Sequence, residues 1–202
     1  MKRILCLLLA LLLLTGCGTA AQKSSEPVET VRDPETGQDQ FLTDPTPEGK
    51  PEPVEPQNVQ IGEEGGTCTI SISCATILDN LDQCDPEKVE LVPEDGWILP
   101  PVEVSFRQGQ SVFDVLMETC KANKIHMEYM DTPMYNSAYI EGIGNLYEFD
   151  VGSLSGWMYC VNEWFPNYGC SRYQLQDGDV IRWVYTCDLG ADVGDNSMAV
   201  AP

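Results

Sequence analysis

The chain has 202 residues and a formal net charge of −21, with 32 acids against 11 bases and a single histidine. That balance argues against nucleic acid and bare anionic membrane as partners met through charge. Hydrophobic residues make up 43% of the chain, enough for one core and, once the two ends are set aside, too few for a second.

Met1 to Arg3 give a positive start, Ile4 to Leu14 an apolar run, and Leu14-Thr15-Gly16-Cys17 a small-residue cleavage site ending in cysteine. As a helix this run rises about 16 Å against a hydrocarbon core of about 30 Å, so residues 1–16 read as a secretory leader and not as a membrane span. The Leu-Thr-Gly-Cys tail resembles a bacterial lipobox, which implies cleavage before Cys17 and acylation of that residue, palmitate being one such acyl group. The expected address is extracytoplasmic, with the chain anchored to the bacterial cell membrane by lipidated Cys17. Loss of the leader takes Lys2 and Arg3 with it and leaves the chain two charges more negative.

Residues 17–66 hold seven of the fourteen prolines and eleven acids against three bases, with few large apolar side chains. Such a stretch buries too little surface to offset its ordering entropy and is expected to be a disordered tether, with an r.m.s. reach of about 40 Å. A single domain is expected over 67–190, and a disordered tail over 191–202.

Thr67 to Ala75 alternates, with Cys68, Ile70, Ile72 and Cys74 on one face and Thr67, Thr69, Ser71 and Ser73 on the other, as a half-buried strand does. Thr76 to Gln83 allows one or two helical turns before Pro86, and a loop anchored by Trp97-Ile98-Leu99 leads to a strand with Val102, Val104 and Phe106 inward. Ser111 opens the clearest helix, capping as Ser111-x-x-Asp114 after the turn residue Gly109. Its expected core stripe is Phe113, Leu116, Met117 and Cys120, with Val112 and Val115 beside it, and it ends near Asn123. His126–Met130, Ala138–Ile143 and Leu146–Val151 are further strand candidates. The stretch from Ser155 to Tyr185 then concentrates three of the four tryptophans and four of the eight tyrosines. It reads as strands bearing Trp157, Tyr159, Trp183 and Tyr185 toward the core, joined by turns at Pro166–Gly169 and Asp177–Asp179. This order predicts an α+β fold, a small mixed sheet of β-grasp type crossed by one packed helix.

Without Cys6 and Cys17, seven cysteines are left, an odd number in an exported protein. Disulfide bonds are therefore expected with at least one thiol outside them, the pairing being open. There is no Cys-x-x-Cys, and His126 stands alone, which gives no zinc site and no Cys-His nucleophile. Asp177-Gly178-Asp179 lacks the following ligands of a calcium loop and reads as a turn. No nucleophile elbow or phosphate-binding glycine loop is present, so an enzyme is not expected.

Four motifs recur in order: Ser111–Leu116, Tyr135–Ile143 with its glycine, Ser155-Gly156-Trp157-Met158-Tyr159, and Tyr173–Asp179 with its Asp-Gly-Asp turn. On these, the region from Val102 to Thr186 resembles the C-terminal domain of transcobalamin and intrinsic factor, which is also found in bacterial surface lipoproteins. The resemblance implies cobalamin or a related corrinoid as ligand, with Tyr135 and Ser137 in the loop beside the ring. Trp164, Phe165 and Tyr168 form an aromatic loop suited to a flat, partly apolar ligand, and Asn162 and Asn167 are placed to pair with corrinoid amides. Glu163 departs from the Asn-Gly turn common in such bacterial domains. Partners are then the membrane through the lipid, the corrinoid, and an envelope transporter or second binding domain. The competing reading is a cell-surface module that meets a protein or glycan through the same rim without a cofactor.

Overall fold

The computed structural model describes residues 31–195. The leader at 1–16, Cys17, the tether as far as residue 30 and the tail from residue 196 lie outside the described residues.

Among the described residues, seven strands and one α-helix carry the fold, in the order β1 Gly65–Ser73, β2 Trp97–Arg107, α1 Val112–Asn123, β3 Met127–Thr132, β4 Ser137–Ile143, β5 Leu146–Tyr147, β6 Gly156–Val161 and β7 Val180–Thr186. The class is α+β with a single packed helix. The strands divide into two sheets: a four-stranded one ordered β2-β1-β7-β6 and a three-stranded antiparallel one ordered β3-β4-β5. In the first, β1 runs parallel to β7 and antiparallel to β2. This arrangement, with the first and last strands side by side at the centre, is the mixed sheet of β-grasp type that the order of elements predicts.

Alternation makes the core. Cys68, Ile70 and Ile72 of β1 face the same side as Ile181, Trp183 and Tyr185 of β7 and Trp157 of β6, and all are buried. The helix begins at Ser111, whose hydroxyl accepts from the Asp114 amide while the Asp114 carboxylate accepts from the Ser111 N–H, a closed capping box. It ends at Lys124 in the left-handed region, φ +58°. Its buried stripe is Val112, Val115, Leu116, Thr119 and Cys120, while Met117 is exposed. Val112, Val115, Leu116 and Cys120 are buried as expected and Phe113 is packed against the core, whereas the place expected of Met117 is taken by Thr119, a polar residue on the core face that a count of apolar residues passes over.

Other elements differ from expectation for local reasons. Trp97 and Val102 are exposed because β2 is a sheet edge, and Ile98 and Leu99 make the anchor to the core without Trp97. The strand expected over Leu146–Val151 stops at Tyr147, with Phe149 in the left-handed region at φ +69°. All seven cysteines from Cys68 to Cys187 are free thiols. In place of disulfides, Cys68, Cys74, Cys84, Cys120 and Cys170 serve as small apolar core groups. Burial pushes the Cys68 thiol up to about 11 and those of Cys74, Cys120 and Cys170 to about 12, so they stay protonated near neutrality.

The expected free tether is corrected from residue 31 onward. Residues 31–64 lie along the domain as a strap, with Asp39 and Thr43 buried. Composition predicts disorder because the strap has little apolar surface, but its docking is polar, centred on a buried cation in the domain.

Candidate ligand-binding site

Two segments meet at the candidate site. The first is the turn between β3 and β4, held by the Tyr135 N–H donating to the Thr132 carbonyl (3.0 Å) and the Thr132 hydroxyl donating to the Ser137 carbonyl (2.6 Å). The second is the irregular segment from Asn162 to Arg172 between β6 and β7. They touch where the Ser171 N–H donates to Ser137 Oγ (3.1 Å) and Ser171 Oγ accepts from the Ala138 N–H (3.0 Å). Gly169 makes this approach feasible: a Cβ there would come within 2.2 Å of Ser137 Oγ.

Between the segments lies a cleft of about 340 Å³, lined by Tyr135, Ser137, Tyr139, Asn167 and Tyr168 among others, and by Leu42 of the strap. That volume is at the low end of the roughly 300–1,000 Å³ usual for small-molecule sites. Tyr135 and Tyr139 expose their rings there, 51% and 42% accessible. The Tyr139 hydroxyl donates to Glu148 at 2.5 Å, and burial together with that carboxylate pushes its phenol up to about 12. It therefore stays a neutral donor across the physiological range.

Four of the seven residues expected at the site, Tyr135, Ser137, Asn167 and Tyr168, line this cleft. Tyr168 is not a free rim residue: it is buried, stacked on Tyr173 with ring centroids 6.3 Å apart, and its hydroxyl donates to the Pro51 carbonyl of the strap (2.6 Å). Trp164 stands edge-on to Tyr168 (5.9 Å) with Lys50 Nζ 5.4 Å above its ring, and Phe165 is half-buried beside it. Asn162 faces the other way. Its amide donates to Asp179 (2.7 Å), and its side-chain oxygen accepts from the Val180 N–H (2.9 Å), which ties β6 to β7.

Asn162 and Glu163 both have positive φ, +50° and +61°, in a two-residue hairpin closed by Val161 and Trp164. This is the geometry that favours Asn-Gly. Glu163 carries backbone strain there in return for an exposed pair with Arg182 (2.9 Å). Such a pair is worth at most about 1 kcal/mol, and a non-glycine residue in the left-handed region costs about 1–2 kcal/mol. Glu163→Gly is therefore expected to raise stability by about 0.5–1 kcal/mol in thermal unfolding; a lower stability would mean that the ion pair outweighs the strain.

Sequence patterns do not single out Tyr139 or Arg172. Tyr139 sits mid-strand, and only the pairing of β4 with β3 turns its ring into the cleft. Arg172 is fully buried, and its guanidinium donates to Asp39 (2.7 Å), Glu55 (3.0 Å), Thr43 (2.5 Å) and the Val54 carbonyl (3.3 Å), with the Phe41 ring 5.1 Å away. Its only signal in sequence is a cation set in an aromatic stretch of an acidic chain. Among the described residues, no three His, Cys, Asp or Glu side chains come together as a metal site needs.

A family model described as a domain of unknown function, DUF4430, matches residues 109–187, from the turn before α1 through β7. The match leaves out the strap and the antiparallel pair β1 and β2, which supplies half of the larger sheet. No curated protein matches the chain. Among solved structures, haptocorrin in complex with Cbi is similar at a TM-score of 0.47 and 12% identity, over 63% of this chain and 26% of haptocorrin's. A candidate metal-binding protein from Ruminococcus gnavus is similar at a TM-score of 0.35 and 14% identity, over 61% of this chain and 97% of its own.

Proposed function

We propose that the chain is an extracytoplasmic, lipid-anchored protein that binds cobalamin or a related corrinoid at the cleft between the β3–β4 turn and the Pro166–Gly169 segment. The observation that carries this reading is the meeting there of Tyr135, Ser137, Tyr139, Asn167 and Tyr168 from two separate elements. Two exposed phenol rings supply a surface for the face of a flat ligand, and the exposed Asn167 side chain supplies a polar group at its edge. The loop holding Tyr135 and Ser137 is the one that the motif resemblance sets beside a corrin ring. A cleft of this size covers only part of so large a ligand, which is the physical reason to expect a partner: a second binding domain or a transporter that takes the uncovered side.

Titration of the chain with cobalamin, followed by corrin absorbance and tryptophan emission, tests the proposal. Tyr135→Ala and Tyr139→Ala are each expected to weaken binding about tenfold, the loss of about 1.4 kcal/mol that one stacked ring supplies, with little change in unfolding because both rings are exposed. Absence of binding at high micromolar corrinoid, together with no corrinoid-dependent capture of an envelope partner, would sink it.

A further inference from the structure

The partners of the buried Arg172 guanidinium all come from the strap, from residues 39 to 55. The backbone joins in, since the Val54 N–H donates to the Arg172 carbonyl at 2.9 Å. Around this anchor, other side chains of the domain read the same segment. The Asn136 amide donates to Glu55 and to the Gln57 side chain (3.1 Å), the Asn167 amide to the Asp44 carbonyl (3.0 Å), and the Tyr168 hydroxyl to the Pro51 carbonyl (2.6 Å). Residues 39–57 contain five acids, one base and five prolines. A cation, two amides and a phenol thus hold an acidic segment, bent by turns at residues 40–42 and 48–50, through its carboxylates and its carbonyls. Proline restricts the free segment and so lowers the ordering cost of binding it.

We infer that this face is a docking site for an acidic, proline-containing peptide in a turn-containing conformation, occupied in cis by residues 39–57 and able to take a segment of the same chemistry in trans. A bidentate-capable arginine surrounded by amide donors is the arrangement that recognises carboxylate-bearing peptide. The domain's side chains supply donors and the strap supplies their acceptors, the backbone bond from the Val54 N–H to the Arg172 carbonyl running the other way. The inference does not depend on corrinoid binding, and its test contains no corrinoid.

In the full-length chain, Asp39→Asn combined with Glu55→Gln removes both carboxylates paired with Arg172. The expected result is faster hydrogen exchange over residues 39–57, with β1 and α1 still protected. A fluorescent peptide of sequence 37–57 should then bind this variant at least about tenfold more tightly than the wild-type chain, whose site is filled. Arg172→Gln in the same background should abolish the capture. Strap amides as well protected in the variant as in the wild type would overturn the inference, and so would a released strap without uptake of the peptide. Should the double variant fail to fold, Glu55→Gln alone carries the same readouts, since its carboxylate is the less buried of the two.

Discussion

Replacement of Arg172 by Met is expected to release the strap and to lower stability by up to about 3–5 kcal/mol, the usual cost of leaving a buried charge without its partner. Asp39 is the group exposed to that penalty. Its side chain is fully buried, 2.7 Å from the guanidinium, while its other oxygen accepts from the Phe41 and Thr43 amides. The strap has an escape, because undocking returns Asp39 and Glu55 to water. The loss in global unfolding is therefore bounded by the docking free energy, and the more direct readout is hydrogen exchange over residues 39–57. Unchanged protection there in Arg172→Met would refute the anchor role.

The same contact makes strap docking depend on pH. Burial alone would raise the Asp39 pKa, but hydrogen bonds from Arg172, Thr43 and Phe41 outweigh it and hold the carboxyl below its usual value. A depressed folded-state pKa contributes stability that is present above the unfolded value of about 3.9 and is lost as pH falls through the folded value. Docking should thus be insensitive to pH near neutrality and weaken below about pH 4.

Trp183→Ala is expected to cost about 3–5 kcal/mol, measured by denaturant unfolding, as for other large-to-small changes in a close-packed core. The indole is 2% exposed, tilted against Tyr159 with ring centroids 5.7 Å apart, on the central strand β7 whose parallel neighbour places Ile72 beside it. Its N–H has no partner among the described residues. Trp183→Phe should for that reason cost much less than Ala, since it keeps most of the ring packing and removes an unsatisfied donor. Equal losses from Phe and Ala would show that the indole N–H has a partner in solution and that packing is the smaller part.

The two cases mark how far sequence alone is legible. Trp183 sits in a period-two pattern with Ile181 and Tyr185, and period two by itself assigns all three to one face. Its place in the core follows from that pattern. The helix from Ser111 to Asn123 is legible for the same kind of reason, because the capping box and the spacing of apolar groups are local. Tyr168 reads as a rim residue in sequence and is buried in the fold, because its cover comes from Tyr173 and from Pro51, the latter more than a hundred positions away in the chain. Asn162 reads as a ligand donor, and in the fold its amide is taken by the Asp179 carboxylate, a contact of which a turn position says nothing.

The sequence alone determined the α+β class, the one packed helix and most of the strands, since each depends on periodicity, capping or turn chemistry within a few residues. The tertiary structure alone decided where the acidic segment before the domain goes. Composition predicts that it stays in water, for it has little apolar surface to bury. What holds it is Arg172, whose charge must be neutralised once buried, and whose neutralising carboxylates the fold draws from residues 39 and 55.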